Sequence, residues 1–208
     1  SIANAAPTQE ATTINNGVET VIGANASWVL VKAKQTLNQA INSGKALEAI
    51  QRAYSDENQP TVTTRLQDLV EGKESPKIQW AKFGDTNIKG AYVNSINTIL
   101  LSQELENQGS LLEEVVIEEI GHWLEAETGI DSDRGEGEIF RNSIRGSSNY
   151  ATEKDDSRTL LIDGSPLQAE MFLIGGSSSS ETNITNNAAS TSNNTSIDQS
   201  STTTNITN

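Results

Sequence analysis

Cysteine is absent from the 208-residue chain, and histidine and methionine each occur once. The first absence excludes disulfides, thiolate metal centres and a cysteine nucleophile. A single histidine excludes a ferritin-like di-iron centre, which needs two Glu-x-x-His pairs. A serine-histidine triad would have to use that one histidine, His122, and no G-x-S-x-G stretch is present to supply the serine. Basic residues are scarce as well: 14 Lys and Arg stand against 28 Asp and Glu, a formal charge of -14. Nucleic acid and anionic membranes are recognised by clustered Lys and Arg, so the balance argues against both and suits cation binding or solubility. No run of about 18 apolar residues occurs, so membrane insertion is not expected. The hydrophobic share is low, 34%, and most of the deficit falls in residues 175–208, which are mostly Ser, Thr and Asn.

What is present divides the chain into three parts. Residues 1–24 hold apolar residues only in pairs and read as a loosely ordered segment. Residues 25–174 carry the patterned sequence. Trp28, Leu30, Val31, Leu37, Ala40 and Ile41 recur at a helical period after Ser27, and Gly44 can end that helix. Two more helices fit residues 46–54 and 62–70, with Gly72 as a stop, and the three read as a scaffold. After Pro76 the period changes: Ile78, Trp80 and Phe83 suggest a half-buried strand, and short strands follow at residues 90–93 and 98–101. Residues 158–172 read as two strands about Asp163-Gly164, a strong short-range hairpin signal. Residues 175–208 read as a linker or tail that buries too little to offset its ordering entropy, with self-assembly the one setting in which such a tract orders.

The stretch with chemistry is residues 111–128, Leu-Leu-Glu-Glu-Val-Val-Ile-Glu-Glu-Ile-Gly-His-Trp-Leu-Glu-Ala-Glu-Thr. At about 3.6 residues per turn, Glu118 and His122 project one turn apart from one face, with Glu119 beside them. The spacing is that of the H-E-x-x-H helix of zinc peptidases with Glu118 in place of the first histidine. Leu112, Val116, Ile120, Trp123 and Leu124 form an apolar stripe, which leaves Glu118 and His122 on a polar front. Between Glu113 and Glu138 ten carboxylates face the single Arg134, a repulsion that a bound cation would reverse and that a solvated acidic face would also tolerate. Asp131-x-Asp133 does not complete an EF-hand, because Gly135, Glu136 and Asn142 stand at its fifth, sixth and twelfth positions.

Residues 90–92, 97–102, Glu118-Glu119-Ile120-Gly121-His122-Trp123-Leu124, Glu136-Gly137-Glu138-Ile139-Phe140 and Ile162-Asp163-Gly164 together resemble a zincin-like, metallopeptidase-like module of large secreted cyanobacterial repeat proteins. The resemblance covers roughly residues 76–172 and implies an α+β zincin-like fold: N-terminal helices, a small mixed sheet whose edge strand lies over the metal-site helix, and a C-terminal β-hairpin. It implies Glu118, His122 and Glu136 as metal ligands and Glu119 as the general base. One divalent metal is implied, zinc first by analogy, with manganese, iron or calcium open to a set of two carboxylates and one imidazole. A second anionic ligand would weaken the ion as a Lewis acid, so Glu118 favours binding over hydrolysis.

The expected function is therefore a secreted or cell-surface divalent-metal-binding domain related to metallopeptidases, with hydrolysis of a peptide or protein substrate reduced or lost through Glu118. The alternative is a catalytically inactive adhesion, matrix or filament module, suggested by Glu118 and the polar tail. Ser1 reads as an internal start, so processing of a longer precursor is a third expectation.

Overall fold

The structure, a computed structural model, describes residues 16–129, 135–146 and 157–175. The acidic loop at 131–134, most of the Ser/Thr/Asn tail and the first fifteen residues lie outside the described residues.

Among the described residues there are six strands: β1 (Val18–Asn25), β2 (Lys77–Phe83), β3 (Ile88–Val93), β4 (Thr98–Ser102), β5 (Ser157–Ile162) and β6 (Ser165–Leu173). Five α-helices accompany them among these residues: α1 (Leu30–Ser43), α2 (Lys45–Ala53), α3 (Gln59–Val70), α4 (Gly109–Ala126) and α5 (Glu136–Arg145). The strands close into a mixed barrel in the order β1-β2-β4-β3-β6-β5. The β1–β5 and β2–β4 pairs are parallel, and the other four are antiparallel.

This corrects the expected zincin-like fold. A zincin-like sheet is open, with an edge strand above the metal helix; here β1 pairs with β2 on one side and β5 on the other, so both edges are used. The closing strand lies in the segment that reads as loosely ordered, for a physical reason. Thr20 is its single fully buried residue, and Val18 and Ile22 are only partly buried against the barrel core. A strand with so little buried surface carries no alternation to be read.

Two cores share the barrel wall. Ala81, Ile88, Ala91, Val93, Leu100, Met171 and Leu173 fill the interior with Leu160, Ile162 and Ala169. The alternate residues, Ile78, Trp80, Tyr92, Ile99, Leu101 and Phe172, point outward into a second core with the helices. Wall strands covered on both faces need apolar residues at successive positions, which is why β4 reads Thr-Ile-Leu-Leu-Ser and is buried throughout. The β5–β6 hairpin turns at Asp163 (φ 52°) and Gly164 (φ 79°), the pair of left-handed residues a two-residue turn requires.

Helix α4 is the centre of the second core. It packs on β3, β4 and β6, and on α1, α3 and α5. From Leu111 to Glu125 only Glu113 is not fully buried, so the helix has no solvent-facing polar front. A helix enclosed on all sides must satisfy its charges inside the fold. Two glycines admit the close packing. At Gly90 on β3 a Cβ would run into Val115, and at Gly121 it would meet the Gly137 Cα at 3.0 Å and Phe140 Cβ at 3.3 Å. Among the described residues no helix is long and apolar enough to cross a membrane.

Candidate metal centre

The acidic run on α4 is neutralised from α5. Arg145 reaches Glu113 at 2.5 Å and Glu114 at 2.6 Å; Arg141, fully buried, pairs with Glu118 at 3.3 Å, Glu114 at 3.4 Å and Glu138 at 3.7 Å. Its guanidinium also lies 4.8 Å from the centre of the Phe172 ring. Both arginines lie beyond the stretch in which ten carboxylates face Arg134. Much of the run is therefore an interhelical clamp rather than a solvated face.

Glu113 records this environment. Burial alone would raise its carboxyl, but hydrogen bonds from Thr36 and Arg145 and the Arg145 charge hold it below the usual value. A depressed folded value means the pair stabilises the protein fully above the unfolded value of about 4.3 and loses that contribution as pH falls through the lower folded value. Thermal unfolding of Glu113→Gln from pH 7 to pH 3 is expected to show a deficit at neutral pH that shrinks in the acid range; a deficit constant with pH counts against the pair.

His122 points elsewhere, toward α5 and β6. Its Nδ1 lies 2.9 Å from Glu136 Oε2 and 3.4 Å from Glu170 Oε2. These three residues form a group whose candidate ligand atoms all lie within 4.8 Å of one another, and the group could hold a metal ion. The 2.9 Å contact is a hydrogen bond, and ligand bonds of about 2.0–2.2 Å set donors roughly 3–3.5 Å apart, so small shifts would open the group around an ion. The other ring nitrogen, Nε2, faces Gly137, where a Cβ would come within 2.5 Å of it. Glycine at that position lets the first turn of α5 close over the imidazole.

Glu136 is the first residue of α5, after Gly135 in the left-handed region (φ 73°), where the helix dipole favours an anion. Burial would raise its carboxyl, but the hydrogen bond and charge of His122, its own backbone N–H and a hydrogen bond with Glu170 bring it below the usual carboxylate value. Glu170 lies on β6 opposite Tyr92 of β3 and Ser157 of β5, and alternation gives it the helix-facing side that Phe172 also takes.

Sequence reasoning named His122 and Glu136, which the fold brings together, and did not name Glu170. A signal existed: a carboxylate two residues before Phe172, on the outward face of a strand whose alternate residues Ala169, Met171 and Leu173 fill the barrel. Glu118 and Glu119 are outside the group. Glu118 is placed against Arg141, and Glu119 faces β3, its Oε2 3.4 Å from where a Gly90 Cβ would stand.

Beside the group a cavity of about 350 Å³ opens, lined by Tyr92, Asn94, His122, Glu125, Ser157, Gln168 and Glu170 with three small residues. Tyr92 donates to Asn97 Oδ1 at 3.2 Å. Burial pushes its phenol up to about 12, against the opposing charge of Arg65 and with the help of Glu170, so it remains a hydrogen-bond donor at neutral pH.

The chain matches no protein-family model, no curated protein and no solved structure. Its functional reading rests on the geometry of this group and cavity.

Proposed function

We propose that this chain is a divalent-metal-binding module whose ion is held by His122 Nδ1, Glu136 and Glu170. The observation that carries the reading is the convergence of these three donors from α4, α5 and β6, two of them, His122 and Glu170, also lining the cavity. The donor set fits a divalent ion: one imidazole and two carboxylates balance its charge and suit zinc, manganese or iron. Three protein donors beside an open cavity follow the plan of a catalytic centre rather than a closed structural one.

Such an ion, when bound, would polarise a carbonyl oxygen and lower the pKa of a water. The chain's own groups would supply the rest. Tyr92 would donate to an oxygen in the cavity by turning its one proton away from Asn97. Glu125, about one turn beyond His122, is the α4 carboxylate that lines the cavity, and it could accept a proton there. Hydrolysis of a carbonyl substrate is the chemistry this arrangement supports, with a peptide bond the substrate class suggested by the resemblance.

Equilibrium dialysis against zinc, manganese and ferrous iron, followed by elemental analysis, tests the proposal. One equivalent is expected in the native protein and in Glu118→Gln, and loss of that equivalent in Glu170→Gln. No bound metal in the native protein, or loss in Glu118→Gln with retention in Glu170→Gln, removes the reading.

A further inference from the structure

The turn of α4 that bears His122 is gripped from behind by three side chains of the helical layer. Tyr54, which closes α2, donates its hydroxyl to Gly121 O at 2.6 Å. Arg65 of α3 donates from Nη1 to Trp123 O at 2.5 Å, with its guanidinium 3.9 Å from the centre of the Trp123 ring. Asn58, immediately before α3, donates from Nδ2 to Glu125 Oε2 at 3.2 Å. All three donors are buried, with Tyr54 at 1% exposure, Asn58 at 3% and Arg65 at 8%.

The acceptors are the residues on either side of His122 and the carboxylate one turn further on. Trp123 O belongs to the last four carbonyls of α4, which have no partner within the helix, so Arg65 caps it. Gly121 O is inside the helix, and the Tyr54 hydroxyl uses its second lone pair. Burying a phenol, an amide and a guanidinium carries a desolvation cost that apolar packing of α2 and α3 would avoid. All three donors converge on one five-residue stretch, and it is the stretch that presents the imidazole. Two of the bonds hold backbone carbonyls, and the third holds a side chain.

We propose that Tyr54, Asn58 and Arg65 are positioning residues that set the imidazole of His122 against Glu136 and Glu170, so that the helical layer governs the affinity and geometry of the metal centre. This rests on the metal reading above. Outer-shell partners of metal ligands are commonly worth about 10–100-fold in affinity, and these act on the backbone that carries the ligand.

Tyr54→Phe deletes one hydroxyl and keeps the ring. The full chain and this variant are compared by cobalt titration, by the visible spectrum of the cobalt complex, and by amide hydrogen exchange of residues 120–126 without metal. Expected are an affinity at least about 10-fold lower, an altered cobalt spectrum, and faster exchange confined to that stretch. Arg65→Met is expected to act in the same direction, and Arg65→Lys, which keeps a donor for Trp123 O, to restore part of the affinity. Unchanged affinity and spectrum in Tyr54→Phe would overturn the proposal, as would a loss in Arg65→Met that Arg65→Lys does not relieve. Absence of cobalt binding by the native protein would defeat the metal reading alone; the exchange comparison then decides the clamp, with equal rates at 120–126 overturning it and faster rates in the variant supporting it.

Discussion

Arg141→Met is expected to destabilise the fold by roughly 3–5 kcal/mol, the range seen when one partner of a buried ion pair is removed. Arg141 is fully buried and serves Glu114 and Glu118, themselves 3% and 1% exposed, so methionine would fill much of the volume and leave their carboxylates without its charge. Glu114 keeps Arg145 at 2.6 Å, and Glu118 is the carboxylate whose pairing with Arg141, at 3.3 Å, the next variant tests. Removing that charge too, in Arg141→Met with Glu118→Leu, is expected to recover a substantial part of the stability, because a buried pair replaced by apolar residues of similar volume is often close to neutral. Urea unfolding of the three proteins measures both effects. A single variant as stable as the native protein would mean that Arg141 does not neutralise α4, and a double variant no better than the single would place the loss in packing.

The second large effect is at Gly137. An alanine Cβ there would stand 2.5 Å from His122 Nε2, 2.7 Å from Cε1 and 2.9 Å from Cδ2, inside the contact distance of the ring. The ring is enclosed, with His122 at 1% exposure, so either α5 withdraws or the imidazole turns. Overpacking of this kind costs about 1–3 kcal/mol, and either movement pulls Nδ1 from Glu136 and Glu170. Gly137→Ala is expected to unfold at lower temperature and to bind metal at least about 10-fold more weakly, on the scale of outer-shell changes. Gly129→Ala is not a suitable control, because Gly129 has φ 71°. Gly109→Ala, where a Cβ meets nothing within 4 Å, is the better one and should leave metal binding unchanged. Native affinity in Gly137→Ala would show that the ring does not rest against α5.

How much of this was legible depends on whether a residue's role is local. Helix α4, the strands at β2 to β4 and the Asp163-Gly164 hairpin announce themselves through periodicity and turn chemistry, which act over a few residues. Gly121, inside the helix, is where the α5 backbone comes closest, with the Gly137 Cα 3.0 Å from where its Cβ would stand. Barrel closure was not legible, because β1 contributes little buried surface and its pairing with β5 joins residues about 140 positions apart, a contact no local pattern records. The role of Glu118 was hidden for the same reason. On a helical wheel it shares a face with His122, and only the tertiary placement of α5 shows that Arg141 meets one and Glu136 the other. Spacing gives candidate ligands, whereas the partner of each carboxylate is decided by the element packed against it.

An anomalous difference map at the metal edge, from crystals grown with zinc or manganese, tests the central claim most directly. The account predicts a peak bonded to His122 Nδ1 and to carboxylate oxygens of Glu136 and Glu170, at about 2.0–2.2 Å for zinc, with Glu118 still on Arg141. A map without density at that point, or with a peak ligated by Glu118 and His122, would contradict it.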